Sequence, residues 1–241
     1  PRMKIARARE HIADLVGQLH LFSASKPFDL RWVNLGSEGK TRQGLKIFQT
    51  KPFPAFFALL IGDAVHNCRT ALDLLACDLV RLNNKDAASV YFPFGKDEKH
   101  FNDQIGKGSF DLASPQAVSL LKQMKPYWGG DDWLRGLHEL DLLDEHRLLL
   151  PVFISANVRH LVVKAPQGGE QTFADCTFSG SSLDIAVPEG SRIVKYKGVE
   201  PHISLQSQIE VFDAIPVIEV LENLADRVEH VVLTFENLLL R

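Results

Sequence analysis

Residues 61–81, IGDAVHNCRTALDLLACDLVR, decide how this chain is read. Laid on a helix at about 100° per residue, Asp63, His66, Thr70, Asp73 and Cys77 fall in one narrow arc, flanked by Asn67 on one side and Arg69 on the other. Ile61, Val65, Cys68, Leu72, Leu75 and Leu79 take the opposite arc. Apolar residues recurring at this period predict the middle of a long, buried central helix. The polar arc then needs partners, because charges withdrawn from water are costly unless paired.

Working outward, Pro52 and Pro54 introduce this helix and the NNKD run after Leu82 ends it. On its N-terminal side, Leu30–Asn34 and Leu45–Gln49 alternate apolar and polar residues around a stretch with three glycines, which predicts a β-hairpin over about 28–50. Lys40, Arg42, Lys46 and Lys51 lie on or beside it, in the pattern of a solvated face that could also meet a polyanion. Before the hairpin, Ile5, Ile12, Leu15, Val16 and Leu19 mark an amphipathic helix from Lys4 to about Phe22. On the C-terminal side, residues 90–102, VYFPFGKDEKHFN, read as an aromatic loop whose Phe92, Pro93 and Phe94 fill a gap in the core. Ser114-Pro115 starts a helix as N-cap and first-turn proline, and it ends near Lys125-Pro126.

A further helix is expected from about Asp131 to Leu149. Trp133, Leu134, Leu137 and Leu148 share an arc with Asp141 and Asp144, and His138 and Glu145 stand at its edge. Acids among core residues on two helices suggest that the two faces meet, with Arg69, Arg147, His66, His138 and His146 as available counter-groups. After Pro151, five short β-branched and aromatic runs predict an antiparallel sheet. From about Ala214, apolar residues recur at three and four through Leu238, a long closing helix. The expected fold class is α+β: a helical bundle with a long central helix, an antiparallel β-sheet, and a long C-terminal helix. Residues 3–150 form the mainly helical region with the inserted hairpin, and 151–241 the strands and last helix of the same domain; Pro1 and Arg2, before Met3, are given no role.

With 27 Lys and Arg against 30 Asp and Glu, the molecule has no general attraction for nucleic acid or anionic membrane, so any such binding must be local. The 45% hydrophobic content is ample for a core. Three cysteines without metal-type spacing fit a reducing cytoplasm. The charged first twenty residues do not form a signal peptide, and no apolar run is long enough to span a membrane. The remaining histidines are scattered, and no phosphate loop, nucleophile elbow or zinc-protease helix is present.

GDAVHNCRTALDLL and LHELDLLDEHRLLLP resemble two signatures, roughly GDxxHNLRSALDHL and LHELDNxDKHRxLLP, that recur together in a family of bacterial hypothetical proteins of similar length. The resemblance runs over most of the chain and implies that the two helices belong together. The Arg-x4-His form within the relatives' first signature is similar to that of HEPN domains, helical bundles many of which are metal-independent ribonucleases. What this implies is an RNA- or nucleotide-directed site, with Arg69 on phosphate, Asp73 beside it and a histidine moving the proton of the 2′-hydroxyl. Here Leu74 occupies the histidine position, so His66 or His146 must take that role, or the site is degenerate. HEPN-like sites commonly form across two subunits, which implies a homodimer.

Two other readings stand beside it. Asp63, His66, Asp141 and Asp144 have the donor chemistry of a divalent-metal site in a helical bundle, although no Glu-x-x-His pair emerges. Alternatively Arg69 or Arg147 bridges Asp73, Asp141 and Asp144, with His66, Asn67, Thr70, His138 and Glu145 hydrogen-bonded nearby. That would be a structural polar network of a non-enzymatic binding or assembly protein, without any cofactor.

Overall fold

The computed structural model describes residues 1–35, 43–147, 152–179, 183–205, 209–213 and 215–239. The side chains of 145–147, 152–154, 177–179 and 183–184 lie outside the described set. Among the described residues the fold is α+β, with six α-helices and antiparallel sheets. Among the described residues no helix is long and apolar enough to cross a membrane.

The chain divides into two compact units, one comprising Pro1–Leu15, Phe56–Pro151 and Leu205–Arg241, the other Val16–Ala55 and Val152–Ser204. The first unit is helical. Helix α1 (Arg2–Ala24) contributes its first part to it, and α2 (Phe56–Leu82) is the central helix expected from the sequence. Ile61, Val65, Cys68, Leu72, Leu75 and Leu79 are all buried, so the apolar arc is core. The aromatic segment after α2 is not loop throughout: α3 (Glu98–Lys107) begins inside it. Asp97 caps this helix, its carboxylate accepting the His100 N–H at 2.7 Å, a signal hidden in a stretch read for its aromatics. Helix α4 (Pro115–Met124) starts as expected, with Ser114 Oγ accepting the Ala117 N–H at 3.2 Å. It stops where Lys125 turns left-handed before Pro126.

Helix α5 (Asp132–Arg147) and helix α6 (Val217–Leu239) complete the unit, each in contact with α2. The long closing helix is present, with Val217, Val220, Leu221, Leu224, Val228, Val232 and Phe235 buried along one stripe. Gly136 of α5 permits a close approach: a β-carbon there would come within 2.6 Å of Cζ of fully buried Phe212.

The second unit holds the strands. Strands β1 (Phe28–Asn34) and β2 (Gln43–Gln49) form the expected antiparallel hairpin. Strands β3 (Val152–Lys164), β4 (Glu170–Ser179), β5 (Leu183–Val187), β6 (Arg192–Tyr196) and β7 (Val199–Leu205) account for the five β-rich runs. They do not form one five-stranded sheet. Strand β5 pairs with β2 to give a three-stranded sheet β1-β2-β5, while β4, β3 and β6 form the other sheet and β7 pairs with β3. Leu45, Ile47, Ala156, Val158, Leu161, Val163, Ile185 and Val187 pack together as the core of this unit. The hairpin thereby shares its core with strands more than a hundred residues later in the chain.

Candidate functional site

The polar arc of α2 is not buried as a whole. Asp63 and His66 have side chains 59% and 50% exposed, and Thr70, Asp73 and Cys77 are half-buried. The flanks are the buried part, Asn67 at 8% and Arg69 at 7%. The reason is geometric: α5 meets α2 along the Arg69 side, and the N-terminal turns of α1 meet it along the Asn67 side. The arc between them is left facing outward. On the α1 side Lys4 Nζ donates to Asn67 Oδ1 at 3.2 Å, and Asn67 Nδ2 donates to the Asp63 carbonyl at 2.7 Å. Buried His11, one of the scattered histidines, brings Nδ1 to 4.0 Å from Asp63 Oδ2.

On the α5 side the expected partnership of the two helices forms two clusters. In the first, His66 Nδ1 lies 3.1 Å from Asp141 Oδ1, and His66 Nε2 lies 3.3 Å from Thr70 Oγ1 one turn on. Asp141 is buried at 6% exposure, so a carboxylate fixed in the core orients an imidazole that reaches solvent. Asp144, a turn further along α5, presses its carboxylate onto α2 where Gly62 has no side chain: a β-carbon there would lie 2.4 Å from Asp144 Oδ1.

The second cluster is built around Arg69. Its Nη1 is 2.5 Å from Asp73 Oδ1, a close ion pair that is not a directed hydrogen bond. Its Nε donates to His138 Nδ1 at 3.4 Å, and its Cζ sits 4.7 Å from the centroid of Phe94. The Phe94 ring stacks on the His138 imidazole at 4.8 Å and 7° between planes. His138 is thus an acceptor, and its pKa falls to about 3 through burial first, then the charges of Arg69 and Arg135. Asp73 also accepts the Phe92 N–H at 2.8 Å, tying the segment after α2 back onto that helix. Phe92 and Phe94 are therefore packing residues as expected, but Phe94 also forms one face of the arginine's enclosure.

The sequence did not single out Arg135, which is buried, ion-paired with Glu139 and 5.5 Å from the Trp128 ring centroid. The i,i+4 spacing of Arg135 and Glu139 was the available signal. Cys68 is buried with its thiol pKa pushed up to about 12 by desolvation, and Cys77 Sγ donates to the Val90 carbonyl at 3.4 Å. Neither is an activated nucleophile. Glu145, His146 and Arg147 belong to α5, but their side chains lie outside the described residues, as do Lys40 and Arg42 of the hairpin. Among the described residues, no group of three or more His, Cys, Asp or Glu side chains is placed to hold a metal ion. Of the donors considered for a metal, Asp63 lies near His11 and Asp141 lies near His66. Comparison with protein-family models, curated proteins and solved structures finds no match to the chain.

Proposed function

We propose that this chain is a non-enzymatic binding or assembly protein in which the polar network between α2 and α5 is structural. The observation that carries this reading is the enclosure of Arg69. Arg69 is only 7% exposed, and its guanidinium is held by the Asp73 carboxylate, His138 and the Phe94 ring. Its groups instead hold two helices and the segment around Phe92–Phe94 in one arrangement, the register-fixing use of buried polar groups. Leu74, at the place where the resembling nuclease signature has its histidine, points outward at 37% exposure and cannot transfer a proton.

A second reading has its own observation. The His66–Asp141 pair has the form of an oriented general base, with Thr70 Oγ1 marking where a substrate hydroxyl would meet Nε2. In an RNA-directed site of HEPN-like type, His66 rather than Arg69 would then be the working group, and the protein would act without a metal.

The deciding experiment incubates purified protein with mixed cellular RNA, with and without chelator, beside His66→Ala, Arg69→Ala and Leu74→His. No cleavage by the wild type, with Arg69→Ala melting early, supports the structural network. Chelator-resistant cleavage lost in His66→Ala overturns it in favour of the RNA-directed enzyme. Cleavage that appears only in Leu74→His identifies a scaffold that has lost its nuclease chemistry.

A further inference from the structure

The register of the hairpin sorts its residues onto two faces, because successive side chains of a strand alternate. Leu30 pairs with Ile47 and Trp32 with Leu45, and Leu45 and Ile47 are buried in the core of the second unit. The opposite face carries the pairs Asp29 with Phe48 and Arg31 with Lys46. An outward face of this kind normally carries polar side chains. Here it holds an aromatic ring, partly exposed, with Arg31 Cζ 5.2 Å and Lys46 Nζ 5.8 Å from its centroid. Asp29 steadies Arg31 by accepting from Nε at 2.7 Å, while the Arg31 side chain stays 58% exposed.

The surroundings extend the pattern. Tyr196 of β6 is 42% exposed and lies close enough to Asp29 for that charge, after burial, to raise its phenol pKa. Arg192, Lys195 and Lys197 on and after the same strand are exposed. The charge of the whole chain is also unevenly divided. Val16–Ala55 and Val152–Ser204 carry 11 Lys and Arg against 7 Asp and Glu, whereas the rest of the chain carries 16 against 23. The near-neutral total conceals a basic β-rich unit and an acidic helical one.

We propose that the outer face of the β1–β2 hairpin binds single-stranded nucleic acid, with an unpaired base stacking on Phe48 and the flanking phosphates meeting Arg31 and Lys46. An aromatic ring beside a cross-strand pair of cations offers a base a stacking surface and the neighbouring backbone phosphates a counter-charge. A duplex keeps its bases stacked inside and gives such a ring nothing to receive. This assignment names the ligand of the binding protein proposed above and rests on that reading. The two fail separately, since RNA cleavage would overturn the non-enzymatic reading whatever the hairpin does, and silent binding would leave the Arg69 network untouched.

The test uses the full chain and a fluorescent mixed-sequence RNA of about 12 nucleotides, within the span that one small binding face covers, read by anisotropy across a salt series. An abasic oligomer of the same length and a labelled polyglutamate peptide are the competing probes. Expected is binding that weakens with salt, drops about tenfold in both Phe48→Ala and Phe48→Leu, and loses about one unit of salt slope in Lys46→Gln. Phe48→Leu keeps an apolar side chain, and thermal melts of each variant separate lost binding from lost folding. The proposal is overturned if the wild type does not bind RNA at low salt, if Phe48→Leu binds as tightly as the wild type, or if the abasic oligomer binds equally well. It is also overturned if polyglutamate competes as well as RNA, which would make the face a dock for acidic protein.

Discussion

Replacing Arg69 by alanine tests the structural reading at its centre. Breaking a fully buried ion pair costs about 3–5 kcal/mol, mostly because the abandoned charge has nowhere to go. Asp73 is not abandoned: its side chain is 34% exposed and keeps the Phe92 N–H at 2.8 Å. The pair itself is therefore discounted to about 1 kcal/mol. Loss of the guanidinium from the Phe94 ring adds about 1 kcal/mol, and the space left beside Phe94 and His138 adds about 1 kcal/mol more. Arg69→Ala should lose about 3 kcal/mol in all. Arg69→Met fills most of that space with apolar atoms and should recover roughly half the loss, since buried charges are often replaced by hydrophobic side chains at little cost. Urea unfolding followed by tryptophan fluorescence and circular dichroism reads both, as a lower midpoint with an unchanged slope. An Arg69→Ala protein within about 0.5 kcal/mol of the wild type, the range of an ordinary surface substitution, would refute the enclosure. So would an Arg69→Met protein no more stable than Arg69→Ala.

The other expectations follow from neighbouring features. His138 is held neutral in the folded state with a pKa of about 3, while the unfolded chain protonates it near its ordinary value. Stability is then unaffected by this group at neutral pH and is lost as pH falls from about 6.5 towards 3, at up to about 1.4 kcal/mol per pH unit. His138→Gln should flatten that part of the profile relative to the wild type, and parallel profiles would contradict the assignment. Gly136→Ala gains helix propensity worth about 1 kcal/mol yet drives a β-carbon into the fully buried Phe212 ring. A net loss of about 1–3 kcal/mol is expected from overpacking, and a higher melting temperature would show that the ring can yield. Cys68 should resist alkylation in the native protein and react only after denaturation, because burial disfavours its thiolate; mass spectrometry of iodoacetamide-treated protein checks this.

Local sequence was enough wherever a single element decides its own form. The 3.6-residue repeat marked α2 and α6, Ser114-Pro115 marked the start of α4, and the alternation of residues 28–50 marked the hairpin, because periodicity and capping are properties of neighbouring residues. Helix α3 escaped because its capping Asp97 sat in a run read for its aromatic side chains. The meeting of α2 with α5 was legible as acids on apolar arcs, and the His66–Asp141 and Arg69–His138 contacts occur between those helices. Which part of the polar arc is buried was not legible. A helical wheel gives angles about an axis, whereas burial depends on where α1 and α5 lie, and they cover the Asn67 and Arg69 flanks while leaving Asp63 and His66 open. The pairing of β5 with β2 was hidden for the same reason. Strand partners are chosen by a shared core that collects Leu45, Ile47, Ile185 and Val187 from distant parts of the chain, and no local window contains that choice. The sequence by itself determined the kinds of element and their order; only the tertiary structure decided which charges were enclosed and which faced water, because desolvation is a property of neighbours in space.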